Sequence, residues 1–171
     1  MRIVISKTAD DLGRRAADKA AELIKAAIAD HGCARIVLST GASQFETLKY
    51  LVEKDIDWKK VEMFHLDEYV DLPITHPASF RKYLKERFVD KTGVEKVHFV
   101  DGTPEGIEKL TKEIRQAPID VGLIGIGQQV VFVLLKLARE IVLHILFRLG
   151  KDNGLTNPLV DIVAHHRQTI L

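Results

Sequence analysis

Two short segments of this 171-residue chain carry side chains arranged for chemistry. The first, Leu38-Ser39-Thr40-Gly41-Ala42-Ser43, joins an apolar run to a helix-like stretch that begins near Gln44. A strand-to-helix turn there presents unpaired backbone N–H groups at the positive end of a helix dipole. Gly41 permits close approach of a ligand, and the hydroxyls of Thr40 and Ser43 add donors. A phosphate or similar anion suits such a loop, with Thr40, Gly41, Ala42 and Ser43 as the binding residues. The plainer alternative is that Ser43 only caps the helix and Gly41 only makes the turn.

The second segment is Phe64-His65-Leu66-Asp67-Glu68-Tyr69. Asp67 and Glu68 follow an apolar strand-like run directly, so neighbouring carboxylates emerge at a strand end. Such a pair can divide the work of proton transfer. One carboxylate faces a substrate, the other hydrogen-bonds to backbone or to a neighbouring base, and the charge of each raises the pKa of its partner. Asp67 and Glu68 are therefore the catalytic candidates, with an ordinary polar turn as the alternative. His65 precedes Asp67 by two, which places both on one face of an extended strand, and a buried structural role is favoured for it.

Elements that could position these loops follow from periodicity. Short apolar runs at 3–6, 35–39, 61–66, 97–100 and 119–126 alternate with helix-like stretches, the pattern of a parallel sheet. A first helix is expected from an N-cap at Thr8, with Asp11 three residues on, to a left-handed cap at Gly32. Pro77 reads as a first-turn residue of a later helix, and Thr103-Pro104-Glu105 as N-cap, N1 proline and first-turn acid, with Pro118 beyond the helix end. The expected fold class is α/β, a single doubly wound, Rossmann-like domain over residues 1–171 with a mostly parallel five-stranded sheet flanked by helices. Both chemical loops fall at the carboxyl ends of strands, where such folds bind ligands.

Composition narrows the partners. Lys plus Arg number 25 against 24 Asp plus Glu, so no basic field draws the chain to nucleic acid or an anionic membrane. The single cysteine, Cys33, excludes an intrachain disulfide and a multi-cysteine metal site, suits a reducing cytoplasmic setting, and is expected in the core. The N-terminal apolar run is too short for a signal peptide. Gly125-Ile126-Gly127 lacks the third glycine of a dinucleotide fingerprint, where Val130 stands, so no nicotinamide cofactor is expected.

Four segments together carry a family resemblance: Leu38 to Ser43, then Leu66-Asp67-Glu68-Tyr69-Val70-Asp71-Leu72-Pro73, then His76-Pro77-Ala78-Ser79-Phe80, and Gly125-Ile126-Gly127. In order and spacing they resemble the glucosamine-6-phosphate deaminase (isomerase) family, whose relatives include 6-phosphogluconolactonases. The resemblance covers about residues 1–127. It implies that Thr40, Gly41, Ala42 and Ser43 hold a sugar phosphate, and that Asp67 is the base moving a proton between C1 and C2 in aldose to ketose conversion. Ammonia release without a redox cofactor or a catalytic metal is implied as well. Ser79, Gly125 and Gly127 are implied to shape the same pocket.

After Gly127 the chain departs from that pattern. The family continues with a glycine and the histidine that helps to open the sugar ring, whereas this chain reads Gln128-Gln129-Val130-Val131-Phe132. Residues 128–171 read as an atypical, mostly helical tail. Lys136, Glu140, His144 and Arg148 recur every four residues between 130 and 149, a narrow polar stripe on an otherwise apolar helix. That helix must bury itself against the sheet and either another helix or another copy of the chain. With Arg139 beside Glu140, its five charged or titratable residues exclude a membrane span. Residues 128–134 are β-branched enough to extend a strand instead. Pro158 is expected to open a last short helix through Ile162 to His166, on which His165 and His166 diverge. Two readings follow: a sugar-phosphate isomerase and deaminase acting through Asp67, or a catalytically silent, shortened or engineered scaffold that keeps the fold and a phosphate-binding loop.

Overall fold

Helix α1 (Ala9–His31) begins where local chemistry directs it. The Thr8 hydroxyl accepts the N–H of Asp11 at 3.1 Å, Asp10 and Asp11 occupy the first turn, and Gly32 closes the helix at φ 83°. The computed structural model describes residues 2–125, 131–135 and 160–165. Their strands are β1 (Arg2–Ser6), β2 (Ala34–Leu38), β3 (Val61–His65), β4 (Lys96–His98), β5 (Val121–Gly125), β6 (Val131–Leu135) and β7 (Val160–His165). The first five match the expected apolar runs. They form one sheet in the order β1-β7-β6-β5-β2-β3-β4.

β5, β2, β3 and β4 run parallel, with Leu38 beside both Leu123 and His65. Residues directly opposite in parallel neighbours share a face. One face therefore carries Ile36, Leu38, Met63 and Leu123, which pack with Ala17, Ala20 and Ile24 of α1. Leu48 and Leu51 of α2 (Phe45–Leu51) join the same core, as does Leu84 of α3 (Phe80–Leu84). Gly13 lets α1 and α2 touch: a Cβ there would lie 2.5 Å from the Glu46 Cβ.

The opposite face is held by α5 (Pro104–Ile114), started by the Thr103 hydroxyl accepting the Gly106 N–H at 3.1 Å. Arg35 is 4% exposed on this side and fully engaged. Its guanidinium reaches Glu62 at 2.7 Å and the carbonyls of Glu113, Ile114 and Ala117, and lies 4.6 Å over the Phe64 ring. His98 stacks on Phe64 and bridges Glu62 and Glu113 at 2.8 and 2.7 Å. A buried cation with this many partners avoids the cost of an unpaired charge.

Several expectations are corrected. Residues Val131–Leu135, expected to begin a helix over 130–149, form strand β6, antiparallel to β5 and β7, as the β-branched run there allows. The last helix expected to Ile162 and His166 is replaced by β7, which pairs in parallel with β1. Val160, Ile162 and Val163 are β-branched; β6 pairs the free side of β5, and β7 pairs one side of β1, which stays at the margin of the sheet. The sheet thus holds seven described strands rather than five. His165 lies on β7, whereas Gly127, Lys136, Glu140, His144, Arg148 and His166 lie outside the described residues. Cys33 is exposed, because it sits in the turn between the Gly32 cap and β2. Pro77 precedes its helix rather than entering it: α3 starts at Phe80 with Ser79 as N-cap. Beyond α3 the chain continues through a π-helical stretch (Lys85–Val89) into α4 (Asp90–Thr92). Among the described residues, no helix is long and apolar enough to cross a membrane.

Candidate active site at the ends of three parallel strands

Strand order reverses at β2. The chain proceeds from β2 outward through β3 and β4, whereas β5 lies on the other side of β2. The crevice beyond the carboxyl ends of β5, β2 and β3 is therefore the switch point at which open parallel sheets bind ligands. Backbone bonds stitch these ends together. The Ser39 N–H donates to the Leu123 carbonyl at 2.9 Å, and the Leu66 N–H donates to the Leu38 carbonyl at 3.1 Å.

The loop leaving β2 holds Thr40, Gly41, Ala42 and Ser43. Gly41 adopts φ 113°, ψ 168°, a conformation open to glycine and strained for other residues. It is followed by a 3₁₀ turn (Ala42–Gln44) whose first N–H groups have no partner within the turn. Gly125 ends β5 directly against this loop: a Cβ there would lie 3.0 Å from the Ser43 hydroxyl oxygen and 3.3 Å from Gln44 Nε2. Of the pocket-shaping residues expected from the sequence, Gly125 thus meets Ser43 across the switch point.

The two neighbouring acids leaving β3 have opposite surroundings. The Glu68 side chain is fully buried and receives five hydrogen bonds. Its Oε1 accepts from the N–H groups of Tyr69 and Phe80 at 3.0 and 3.1 Å. Its Oε2 accepts from the Ser79 hydroxyl at 2.8 Å and from the N–H and Nε of Arg81 at 2.9 and 3.2 Å. Burial pushes this carboxyl up, but the Arg81 N–H, the Ser79 hydroxyl and the N–H groups of Tyr69 and Phe80 outweigh it and hold the group down at about 2. Glu68 thus anchors the loop 69–79 onto the start of α3, and Arg81 completes the anchor by donating to the Leu72 carbonyl. Ser79 is buried as both N-cap of α3 and donor to Glu68.

Asp67 stands apart from that knot. It is exposed at the rim, one residue beyond Leu66, whose N–H ties β3 to β2. Loss of solvation first, and the Glu68 charge second, push its carboxyl above the ordinary carboxylate value. His65 ends β3 at 2% exposure with its ring edge-on to Phe99, on the core side beside Leu38. Burial pushes its imidazole down to about 4, with Arg81 adding to that shift and Glu68 opposing it. It is therefore neutral at pH 7. Neither ring nitrogen has a hydrogen-bond partner among the described residues. Arg81 and Gln44, which build this site, were not legible as such in the sequence. Their partners lie in other elements, and the only local hint for Arg81 is its place two residues after the N-cap Ser79. Among the described residues, no group of three or more His, Cys, Asp or Glu side chains could hold a metal ion.

Comparison with known proteins bears on the family and the fold. A family profile described as Glucosamine-6-phosphate isomerases/6-phosphogluconolactonase matches residues 7–130. A glucosamine-6-phosphate deaminase of Thermoanaerobacter sp. is 30% identical over 138 residues, covering 74% of this chain and 53% of that protein. The deaminase of Lactobacillus delbrueckii subsp. bulgaricus is 26% identical over 132 residues, covering 75% and 54%. This chain thus spans about half the length of the curated relatives it matches. A crystal structure of a 6-phosphogluconolactonase from Shewanella baltica shares the fold with TM-score 0.66 at 22% identity, over 74% of this chain and 57% of that one. A monomeric glucosamine-6-phosphate deaminase does so with TM-score 0.57 at 22% identity, over 68% and 49%.

Proposed function

The chain belongs to the family of glucosamine-6-phosphate isomerases and 6-phosphogluconolactonases, and from that premise we propose that it acts on a hexosamine 6-phosphate through Asp67. In this reading the loop of Thr40, Gly41, Ala42 and Ser43 receives the phosphate with hydroxyl and backbone N–H donors. Gly125 leaves room beside it, and Ser79 holds the facing wall through Glu68. Asp67 then takes the proton from C2 of the open-chain sugar and returns it to C1. One amine proton passes to the C1 oxygen at the same time, so the C1 carbonyl becomes a hydroxyl and the C2 amine becomes an imine, and water then adds at C2 to give the ketone and release ammonia.

The observation that carries this reading is the division between the two acids. Glu68 is saturated with donors and held ionised, so it positions the loop rather than exchanging protons. Asp67 is exposed at the crevice with a raised pKa, which makes it the stronger base of the pair. The sequence after Gly127, which lacks the family's ring-opening histidine, supports a second reading in which the phosphate site survives without turnover. One assay separates the two: ammonia release from glucosamine 6-phosphate, with Asp67→Asn at equal concentration. Release by the parent chain and at least a 100-fold loss in the variant is the expected result. A folded parent that releases no ammonia, but gains thermal stability with glucosamine 6-phosphate, would replace the deaminase reading with the binding-only one.

A further inference from the structure

Gln44 directly follows Ser43 and its side chain is wholly buried. A buried amide needs partners, and the ones it has are informative. Its Nε2 donates to the Ser39 hydroxyl oxygen at 2.9 Å, and the same oxygen accepts the Gly125 N–H at 3.0 Å. Ser39 opens the loop after β2, Gly125 ends β5, and the Gln44 N–H closes the far side of the loop by donating to the Gly41 carbonyl at 2.9 Å. One amide and one hydroxyl thereby tie both ends of the loop to the neighbouring strand. With two N–H donors on its oxygen, Ser39 has only its own proton left to give. Gln44 Oε1 has no hydrogen-bond partner among the described residues.

We infer that Gln44 is a positioning residue for phosphate: it clamps the Thr40 to Ser43 loop onto Ser39 and Gly125, so that the loop is pre-formed before the anion arrives. The inference rests on the phosphate role of this loop under Proposed function. A pre-formed loop spares the ordering cost that a loose one would meet on binding. The Gly125 contact leaves the clamp little room to rearrange.

The test is calorimetric titration of the full chain with inorganic phosphate and with glucosamine 6-phosphate. Gln44→Leu removes the donor at nearly constant size, and should weaken both ligands about 10-fold, the effect of losing one hydrogen bond of about 1.4 kcal/mol. Gln44→Glu also places a negative charge at the loop, and should weaken them further, by a factor that shrinks as salt is raised. Ser39→Ala removes the shared acceptor and should reproduce the Gln44→Leu loss, while the double variant binds no more weakly than either single one. Should Gln44→Leu fail to fold, Ser39→Ala and Gln44→Glu decide the matter. Parent binding with unchanged affinity in these variants overturns the role of Gln44 alone. A folded parent that binds neither ligand overturns the phosphate loop itself, and this inference with it.

Discussion

Replacing His65 with leucine should flatten the pH dependence of stability on the acid side of neutrality. His65 is 2% exposed, its nitrogens have no hydrogen-bond partner among the described residues, and burial pushes its pKa from 6.5 to about 4. Between those values the unfolded chain binds a proton that the folded chain refuses, so stability is complete above pH 6.5 and falls as pH drops toward 4. At 1.36 kcal/mol per pH unit, the window of 2.5 units (6.5 minus 4) corresponds to about 3 kcal/mol, an order-of-magnitude figure. Urea unfolding of parent and His65→Leu at pH 7.5 and pH 4.5 reads the difference directly. The parent should lose about 2–3 kcal/mol more than the variant between these two conditions. Exposed histidines are common to both proteins and cancel. Glu62 and Glu68, whose pKa values are lowered in the fold, lose their contribution only at and below their ordinary value of 4.5. At pH 7.5 the substitution should be nearly neutral, because leucine replaces polar atoms that have no described partner. Parallel pH profiles for the two proteins would refute the claim that His65 is buried in its neutral form.

Two further substitutions probe the frame. Glu68→Gln should destabilise the chain by about 2–3 kcal/mol at pH 7, since a neutral amide cannot accept all five donors. It should also remove the part of the acid limb that the parent loses between pH 4.5 and about 2, measured by chemical denaturation across that range. Gly13→Ala should lower the melting temperature. The new methyl would stand 2.5 Å from the Glu46 Cβ and 2.6 Å from its carbonyl carbon, and separating α1 from α2 costs about 1–3 kcal/mol. That exceeds the gain of about 1 kcal/mol in helix propensity, and an unchanged or raised melting temperature would show that the helices part freely.

Much of the framework was legible in the chain itself. The caps at Thr8 and Gly32, the Thr103-Pro104 start of α5 and the five apolar runs act over three or four residues, so they read directly as elements. Alternation of strand and helix then placed both loops at strand ends, and Gly41 declared a turn that only glycine makes easily. What the sequence left open was decided by partners remote along the chain. Ser39 meets Gly125 at a separation of 86 residues, and Glu68 gathers donors up to 13 residues away, which turns two neighbouring acids into one anchor and one exposed base. Residues 131–135 suited either helix or strand by composition and residues 160–165 read as helix, and both became strands because β5 and β1 offered them unpaired edges. Local propensity sets where an element can form; the hydrogen bonds and burial available from distant segments set which element it becomes and which of its side chains remain free to react.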